Sequence, residues 1–197
     1  MNKPYTFVFF GIVGSGKGTQ VDLLKKYLKD KDPSTEIVSV YPGSEFRKMI
    51  ESGSYTGNLV KATLEQGQLQ PNFLTISVFT NKLVSSLEPT SHLIVDGFPR
   101  TVTQSEILEV SMDFYKREDI KIIYISVEKE EAIRRMKLRG RTDDTDEGIT
   151  KRIDEYVNNV IPAMYYFKDK GNYTIYTVNG EQEPEAVHKE LIASLGI

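Results

Sequence analysis

Short apolar runs alternate with amphipathic stretches along most of the chain. The runs are rich in Val, Ile, Phe and Tyr and lack clean polar alternation, which is typical of parallel strands covered on both faces. They lie at Tyr5–Phe10, Glu36–Tyr41, His92–Asp96, Lys121–Val127 and Tyr173–Val178. Strands that alternate with helical segments favour an α/β fold. The pattern therefore predicts an open, mostly parallel sheet of five strands that is flanked by helices.

Helical spacing of apolar residues is clearest in four segments between and after these strands. They are Lys17–Lys29, Pro71–Leu87, Asp146–Phe167 and Glu183–Leu195. Pro71 is expected in the first turn of its helix, and Pro162 is expected to kink the third helix. The long stretch from Pro42 to Ser91 holds three helical pieces, which is more than one crossover requires. We therefore expect a helical subdomain inserted at the ends of the strands.

Composition narrows the function classes. The 197 residues suffice for one domain, and the net charge of −3 argues against a nucleic-acid binder, which is more often basic. The absence of cysteine excludes disulfides and thiolate metal sites, and the two histidines, His92 and His188, are far apart. No apolar run approaches the ~20 residues of a membrane helix, and the apolar stretch Tyr5–Phe10 lacks the length and cleavage site expected of a signal peptide. A cytoplasmic protein without membrane attachment is expected, and its oligomeric state stays open.

The segment after the first strand fits the phosphate-loop pattern G-x-x-x-x-G-K, from Gly11 to Lys17. Glycines let backbone N–H groups turn toward an anionic oxygen, and the following helix adds the positive end of its dipole. The Lys17 ammonium can reach the β- and γ-phosphates of a nucleotide. Gly18 stands where most phosphate loops carry Ser or Thr, and Thr19 follows it. The residues expected to contact nucleotide here are Gly14, Ser15, Gly16, Lys17, Gly18 and Thr19.

A second phosphate-site signal is the apolar strand that ends at Asp96. In a phosphate-loop fold an aspartate at this position supports magnesium. Arg100 follows where the chain leaves the sheet at its ligand-binding edge, and an arginine there can hold a phosphate in a bidentate fork. The net result is a predicted site for a magnesium nucleotide between this strand and the phosphate loop.

Arginines cluster in the last third of the chain. Four of them, Arg134, Arg135, Arg139 and Arg141, lie within eight positions, and Arg152 follows one helix later. Phosphoryl transfer needs positive donors because charge spreads over the oxygens of the moving group. An ionised acceptor phosphate can attack without a general base, so a site without histidine suits this chemistry. Arg134 alone is interpreted as a solvated surface residue.

With these residues assembled, the chain resembles the adenylate kinase branch of the nucleoside monophosphate kinases nearly end to end. The segments that carry the resemblance are Gly14–Gln20, Asp96–Thr101, Arg139–Asp144 and Gln66–Pro71, and the second is highly specific. The resemblance implies one kinase domain of the P-loop NTPase type over residues 1–197. It also implies a helical monophosphate-binding insertion at 42–73 and a vestigial lid at 139–146. The implied substrates are ATP with Mg²⁺ and a nucleoside monophosphate, most often AMP.

The same resemblance assigns roles to single residues. Arg47 and Arg100 would hold the acceptor phosphate, and Gln104 would read the adenine of AMP. Other positions implied to contact AMP are Gln68, Leu69, Gly97, Arg141 and Arg152. On the donor side, Arg135 would pack against the base, Asn179 and Gly180 would lie beside it, and Asp96 would hold the magnesium waters. The catalytic set implied is Lys17, Arg100, Arg139, Arg141 and Arg152.

Three departures from the family pattern leave alternatives open. Val13 replaces a usual proline, which changes loop stiffness more than chemistry. Pro42 stands where AMP-specific members carry a threonine, so a UMP/CMP-type or broad-specificity kinase is the runner-up. Only Gly140 separates Arg139 from Arg141, where relatives place a loop or a lid domain. A phosphate-loop binding module without turnover is a third reading, whereas a GTPase lacks support because no Asn-Lys-x-Asp element is present.

Overall fold

The central sheet is fully parallel in the computed structural model, which describes residues 3–140 and 144–197. Over these residues it contains five strands in the order β2-β3-β1-β4-β5. Their bounds are β1 Thr6–Phe10, β2 Ile37–Val40, β3 His92–Asp96, β4 Ile120–Ser126 and β5 Tyr173–Asn179. All five predicted strands are thereby confirmed, with ends that shift by no more than one residue. The parallel order brings the carboxyl ends of β1, β3 and β4 to one edge.

Helices cover both faces of the sheet. Their bounds are α1 Lys17–Lys31, α2 Pro42–Glu51, α3 Tyr55–Glu65, α4 Asn72–Ser86, α5 Val102–Phe114, α6 Lys129–Arg139, α7 Asp146–Glu155, α8 Ile161–Tyr165 and α9 Pro184–Leu195. Successive side chains of β1 point to opposite faces of the sheet. Val8 and Phe10 pack under α4, α5 and α8. Phe7 and Phe9 pack under α1 and α9. Every residue of β1 is buried. This two-sided burial explains the continuous apolar run seen in the sequence.

Two helix predictions need correction. Pro71 is the residue before α4 and has an extended backbone, so it lies outside the first turn. The single helix expected from Asp146 to Phe167 is divided into α7, one π-helical turn at Tyr156–Val160, and α8. Pro162 lies in the first turn of α8. The i→i+5 pattern of the π turn widens the helix just before this proline, which cannot itself donate a backbone hydrogen bond.

The α2–α3 pair is the helical insertion expected between β2 and β3. The two helices touch closely at Gly57, where a Cβ atom would lie 1.9 Å from the carbonyl oxygen of Met49. Phe46 of α2 and Val60 of α3 are buried, and the Gln70 amide donates to the Val60 carbonyl oxygen at 3.1 Å. These contacts hold α2, α3 and the segment that leads to α4 together.

Across residues 3–140 and 144–197, none of the helices is long and apolar enough to cross a membrane.

Candidate active site

The phosphate loop joins β1 to α1 at the carboxyl edge of the sheet. Three of its glycines adopt positive φ angles, +145° at Gly11, +91° at Gly14 and +88° at Gly16. A Cβ atom at Gly11 would lie 2.6 Å from the Ile125 carbonyl oxygen, and one at Gly14 would lie 2.7 Å from that of Ala132. The loop thus presses closely on β4 and α6. Only glycine combines this backbone conformation with this packing.

Lys17 is the half-buried cation at the start of α1. Its Nζ donates to the carbonyl oxygens of Gly11 at 2.7 Å and Ile12 at 3.0 Å. Burial lowers the pKa of Lys17 to about 8, an effect that the Asp96 carboxylate opposes and nearby arginines reinforce. The surroundings of Lys17 therefore disfavour its charged form, and a bound anion would favour that form.

A cleft beside this loop, which we call the phosphate-loop cleft, is lined by Gly14, Gly16, Lys17, Asp96, Arg100, Arg135 and Arg139, among others. Asp96 and Arg100 lie at and just after the end of β3. Burial raises the pKa of Asp96, while Lys17 and Arg100 act in the other direction. The Arg100 Nε donates to the Gly97 carbonyl oxygen at 3.1 Å, and its backbone N–H donates to Gln104 Oε1 at 2.8 Å. Gly97 has a φ of +75°, which turns the chain out of the sheet. The predicted pair of Asp96 and Arg100 is thus brought beside Lys17.

Two more arginines are joined by one buried carboxylate. Arg139, at the end of α6, donates to Asp144 from Nε at 3.0 Å and from Nη2 at 2.7 Å. Arg152, on α7, donates to the same carboxylate at 2.8 Å. The Asp144 side chain is only 1% exposed. The carboxylate therefore holds cations from two helices at the mouth of the cleft.

Asp144 lies just before α7, which begins at the residue predicted from the helical spacing. The N-cap is Thr145, whose hydroxyl accepts from the Gly148 N–H, and α7 begins at Asp146. The role of Asp144 in joining two arginines has no local sequence signal beyond its place in the Arg139–Asp144 segment. Arg141 and part of the expected lid at 139–146 lie outside the described residues.

Arg135 also lines the phosphate-loop cleft. Its Nε donates to Glu131 at 2.6 Å, and its Nη1 donates to the Gly180 carbonyl oxygen at 2.8 Å. Asn179 precedes that carbonyl at the end of β5 and is exposed. The three predicted donor-side residues are thus neighbours, although they come from elements 45 positions apart.

A second cleft, which we call the acceptor cleft, lies between the insertion and the sheet edge. Its lining includes the predicted residues Arg47, Gln68, Leu69, Gly97, Arg100, Gln104 and Arg152, together with Tyr41 and Pro42. Gln104 is buried, and both ends of its amide are used within the protein. Oε1 accepts from the Arg100 N–H, and Nε2 donates to Asn72 Oδ1 at 2.9 Å. Asn72 and Tyr41 were not anticipated from the sequence.

The donor set suits a hydrated magnesium ion. Mg²⁺ keeps several waters and binds proteins through one or two carboxylates together with substrate phosphates. Asp96 offers one carboxylate beside the phosphate loop. Among the described residues, no group of three or more His, Cys, Asp or Glu side chains is placed to hold a metal. A metal that arrives with the nucleotide therefore fits this site better than a permanently bound ion.

Comparison with known proteins gives one consistent family. The sequence model described as "Adenylate kinase" matches residues 9–172. A curated protein named adenylate kinase from Thermus thermophilus is 30% identical, with 100% of both chains covered. The protein of that name from Dehalococcoides mccartyi is 30% identical over 97% of this chain and 98% of its own length. The one from Bacteroides fragilis is 33% identical over 93% and 94%.

Proposed function

The chain belongs to the adenylate kinase family, and on this premise we propose that its cleft transfers the γ-phosphoryl group of ATP to AMP, giving two ADP. The observation that carries the proposal is the convergence of Lys17, Arg100 and Arg139 on one cleft. Each comes from a different element, and together they supply the positive charge that phosphoryl transfer requires.

The donor triphosphate binds over the phosphate loop. Backbone N–H groups from Gly14 to Thr19 and the amino end of α1 face its anionic oxygens, and Lys17 reaches the β- and γ-phosphates. Arg135 and the turn at Asn179–Gly180 lie where the donor base would rest. The close contact between Arg135 and the Gly180 carbonyl supports this placement.

Asp96 would hold the magnesium ion through its water shell. The ion supplies charge neutralisation on the β- and γ-phosphates when it is bound with ATP. The contribution of the chain is a carboxylate close enough to Lys17 and Arg100 to interact with both charges.

Arg139 and Arg152 would neutralise charge on the moving phosphoryl group. Asp144 forms ion pairs with both guanidinium groups at the cleft. Arginines held in position need little reorganisation when charge develops, which is the basis of electrostatic preorganisation. Arg141 is proposed for the same task from the sequence resemblance alone.

The acceptor monophosphate would bind beneath the 42–73 insertion. Arg47 and Arg100 would hold its phosphate, and Gln68, Leu69 and Gly97 would line its path. A primary amide has two donor hydrogens and two acceptor lone pairs, and Gln104 uses one of each with Asn72 and Arg100. The second hydrogen and the second lone pair would read the base. Its internal bonds would then fix the orientation of the amide.

Acceptor kinetics provide the test. Phosphorylation rates with AMP, CMP, UMP and dTMP, measured by a coupled assay with ATP, should show the highest kcat/KM for AMP. A preference for UMP or CMP would support the runner-up, which the proline at position 42 motivates. Absence of turnover with all four acceptors, from protein that binds ATP, would instead indicate a binding module. We further propose that the enzyme acts in the cytoplasm, where its adenine nucleotides are available.

A further inference from the structure

Tyr41 lies between the two clefts of the active site. It is the residue before α2, and its side chain lines both the phosphate-loop cleft and the acceptor cleft. It is partly buried. The phosphate motifs of the sequence predicted neither the place of Tyr41 in the active site nor a binding role for its hydroxyl.

The first turn of α2 fixes the position of Tyr41. Its carbonyl oxygen accepts from the Ser44 N–H at 3.1 Å and from the Ser44 hydroxyl at 2.8 Å. The ring folds over Gly43, where a Cβ atom would lie 2.9 Å from Cζ of the ring and 3.0 Å from its hydroxyl oxygen. The glycine therefore leaves the space that the ring occupies.

The phenol lies among the arginines proposed to hold the acceptor phosphate. Arg47 Nη2 donates to the Tyr41 hydroxyl at 3.1 Å, and its guanidinium lies 5.5 Å from the centre of the ring. Arg100 also lies near the ring. A Cβ atom at Gly97 would lie 3.2 Å from Arg100 Nη2 and 3.6 Å from Tyr41 Cε2, so both side chains flank this glycine. Tyr41 thus contacts one arginine and approaches the other.

The hydroxyl has a hydrogen to offer. A phenol carries one donor hydrogen besides its acceptor lone pairs, and here the oxygen accepts from Arg47. Within residues 3–140 and 144–197, no side-chain or backbone oxygen accepts that hydrogen. A phenol that lines a cleft beside two cations is suited to donate this hydrogen to an anion.

We propose that Tyr41 binds the acceptor phosphate, with its hydroxyl donating to a phosphate oxygen while its oxygen holds the Arg47 guanidinium in position. This inference rests on the proposed function, because it assumes that the Arg47–Arg100 region receives the phosphate of the monophosphate. A hydrogen bond from a neutral donor to a charged phosphate is stronger than a neutral pair.

The test compares Tyr41→Phe with Tyr55→Phe. The first substitution keeps the ring and removes the hydroxyl, and the second makes the same change at an 80% exposed position of the adjoining insertion. For Tyr41→Phe we expect KM for AMP to rise about tenfold, with KM for ATP unchanged. Tyr55→Phe should leave both constants unchanged. An unaltered KM for AMP in Tyr41→Phe would overturn the inference.

Calorimetry with AMP and with adenosine separates phosphate binding from ring packing. Tyr41→Phe should weaken AMP binding about tenfold and leave adenosine binding unchanged. An equal loss for both ligands would overturn a phosphate role. Because binding is measured without ATP, this result is independent of turnover, and failure of the wild-type protein to phosphorylate AMP would count against the proposed function instead.

The link to Arg47 is tested with a double-mutant cycle. If Tyr41 positions Arg47, the combined Tyr41→Phe and Arg47→Lys variant should lose less AMP affinity than the product of the two single losses. Strictly multiplicative losses would overturn the positioning part of the inference.

Discussion

Among single residues, Lys17 has the electrostatic surroundings that most directly suit the binding of an anion. Its pKa of about 8 lies below the usual value of 10.5 because burial disfavours the ammonium form. The folded state therefore binds this proton less well than the unfolded state does. Above about pH 8 the folded protein loses that unfavourable charge, so this residue contributes increasing stability as pH rises toward 10.5.

Lys17→Met should lower kcat by at least about 100-fold, because a preorganised cation on the β- and γ-phosphates is lost. Thermal stability without nucleotide should not fall, since the variant removes a charge that the folded state disfavours. A coupled assay and a thermal melt measure both effects. Lys26→Met is the matched control, because Lys26 lies on the same helix with a side chain that is 72% exposed. Near-native turnover of folded Lys17→Met would contradict the phosphate-loop assignment.

ATP binding at about pH 8.5 should be accompanied by proton uptake. Near its lowered pKa, part of the Lys17 population is neutral, and the triphosphate favours the ammonium form. Calorimetric titrations in two buffers with different ionisation enthalpies measure the uptake. Lys17→Arg should bind ATP without that uptake, since a guanidinium stays protonated. Equal uptake by both proteins would assign the proton to another group.

The arginines at the acceptor cleft depend on geometry as well as charge. Arg47→Lys and Arg100→Lys keep the charge but lose the planar fork, so each should reduce kcat/KM for AMP by about tenfold or more. ATP affinity should change far less. Arg134→Lys, at an exposed arginine paired with Glu131, serves as the control. Equal losses for AMP and ATP would place these arginines outside the acceptor phosphate site.

At the level of elements, the contact between α2 and α3 shapes the acceptor side. Gly57 has no room for a side chain, because its Cβ atom would meet the Met49 carbonyl oxygen at 1.9 Å. Backbone atoms on both sides cannot yield without separating the helices. The position of Arg47 therefore depends on a glycine ten residues away in the chain.

Gly57→Ala should destabilise the protein by roughly 1–3 kcal/mol, the usual cost of overpacking, and should raise KM for AMP more than KM for ATP. Denaturant unfolding and steady-state kinetics measure the two effects. Gly171→Ala is the control, because no atom lies within 4 Å of a Cβ placed there. Unchanged stability and AMP kinetics in Gly57→Ala would show that the α2–α3 contact relaxes easily.

At the scale of the whole molecule, the two sides of the cleft are covered unequally. The acceptor side lies under α2 and α3, whereas α6 and α7 are joined on the donor side by residues 140–145 alone. A segment that closes over an active site excludes water from the reacting groups. This short connection leads us to expect a more open donor site.

An open donor site should discriminate ATP from GTP poorly and should allow measurable ATP hydrolysis without AMP. Hydrolysis assays with ATP and GTP side by side, without acceptor, measure both properties. Lys17→Met controls for contaminating phosphatases. Negligible hydrolysis together with strict preference for ATP would contradict the idea and indicate that α2, α3 or a neighbouring subunit covers the site.

Local sequence patterns determined the strands and the phosphate loop of this protein. The five strands were predicted to within one residue, because strands covered on both faces must be apolar throughout. The phosphate loop was recognisable because its glycines meet a local backbone demand, as the positive φ angles of Gly11, Gly14 and Gly16 show. The π turn at Tyr156–Val160 was harder to place, because the apolar spacing of the sequence runs through it without interruption.

Only the tertiary structure decided how side chains from distant segments pair. The sequence by itself determined where the apolar strands lie along the chain, the nucleotide motif and the arginine cluster, since each rests on residues close together in the chain. Two such contacts depend on how packed helices meet at the sheet edge. Arg139 and Arg152 both donate to buried Asp144, and Arg47 donates to the Tyr41 hydroxyl. Such contacts leave no periodic signal, because hydrogen bonds between side chains depend on three-dimensional distance rather than on spacing along the chain.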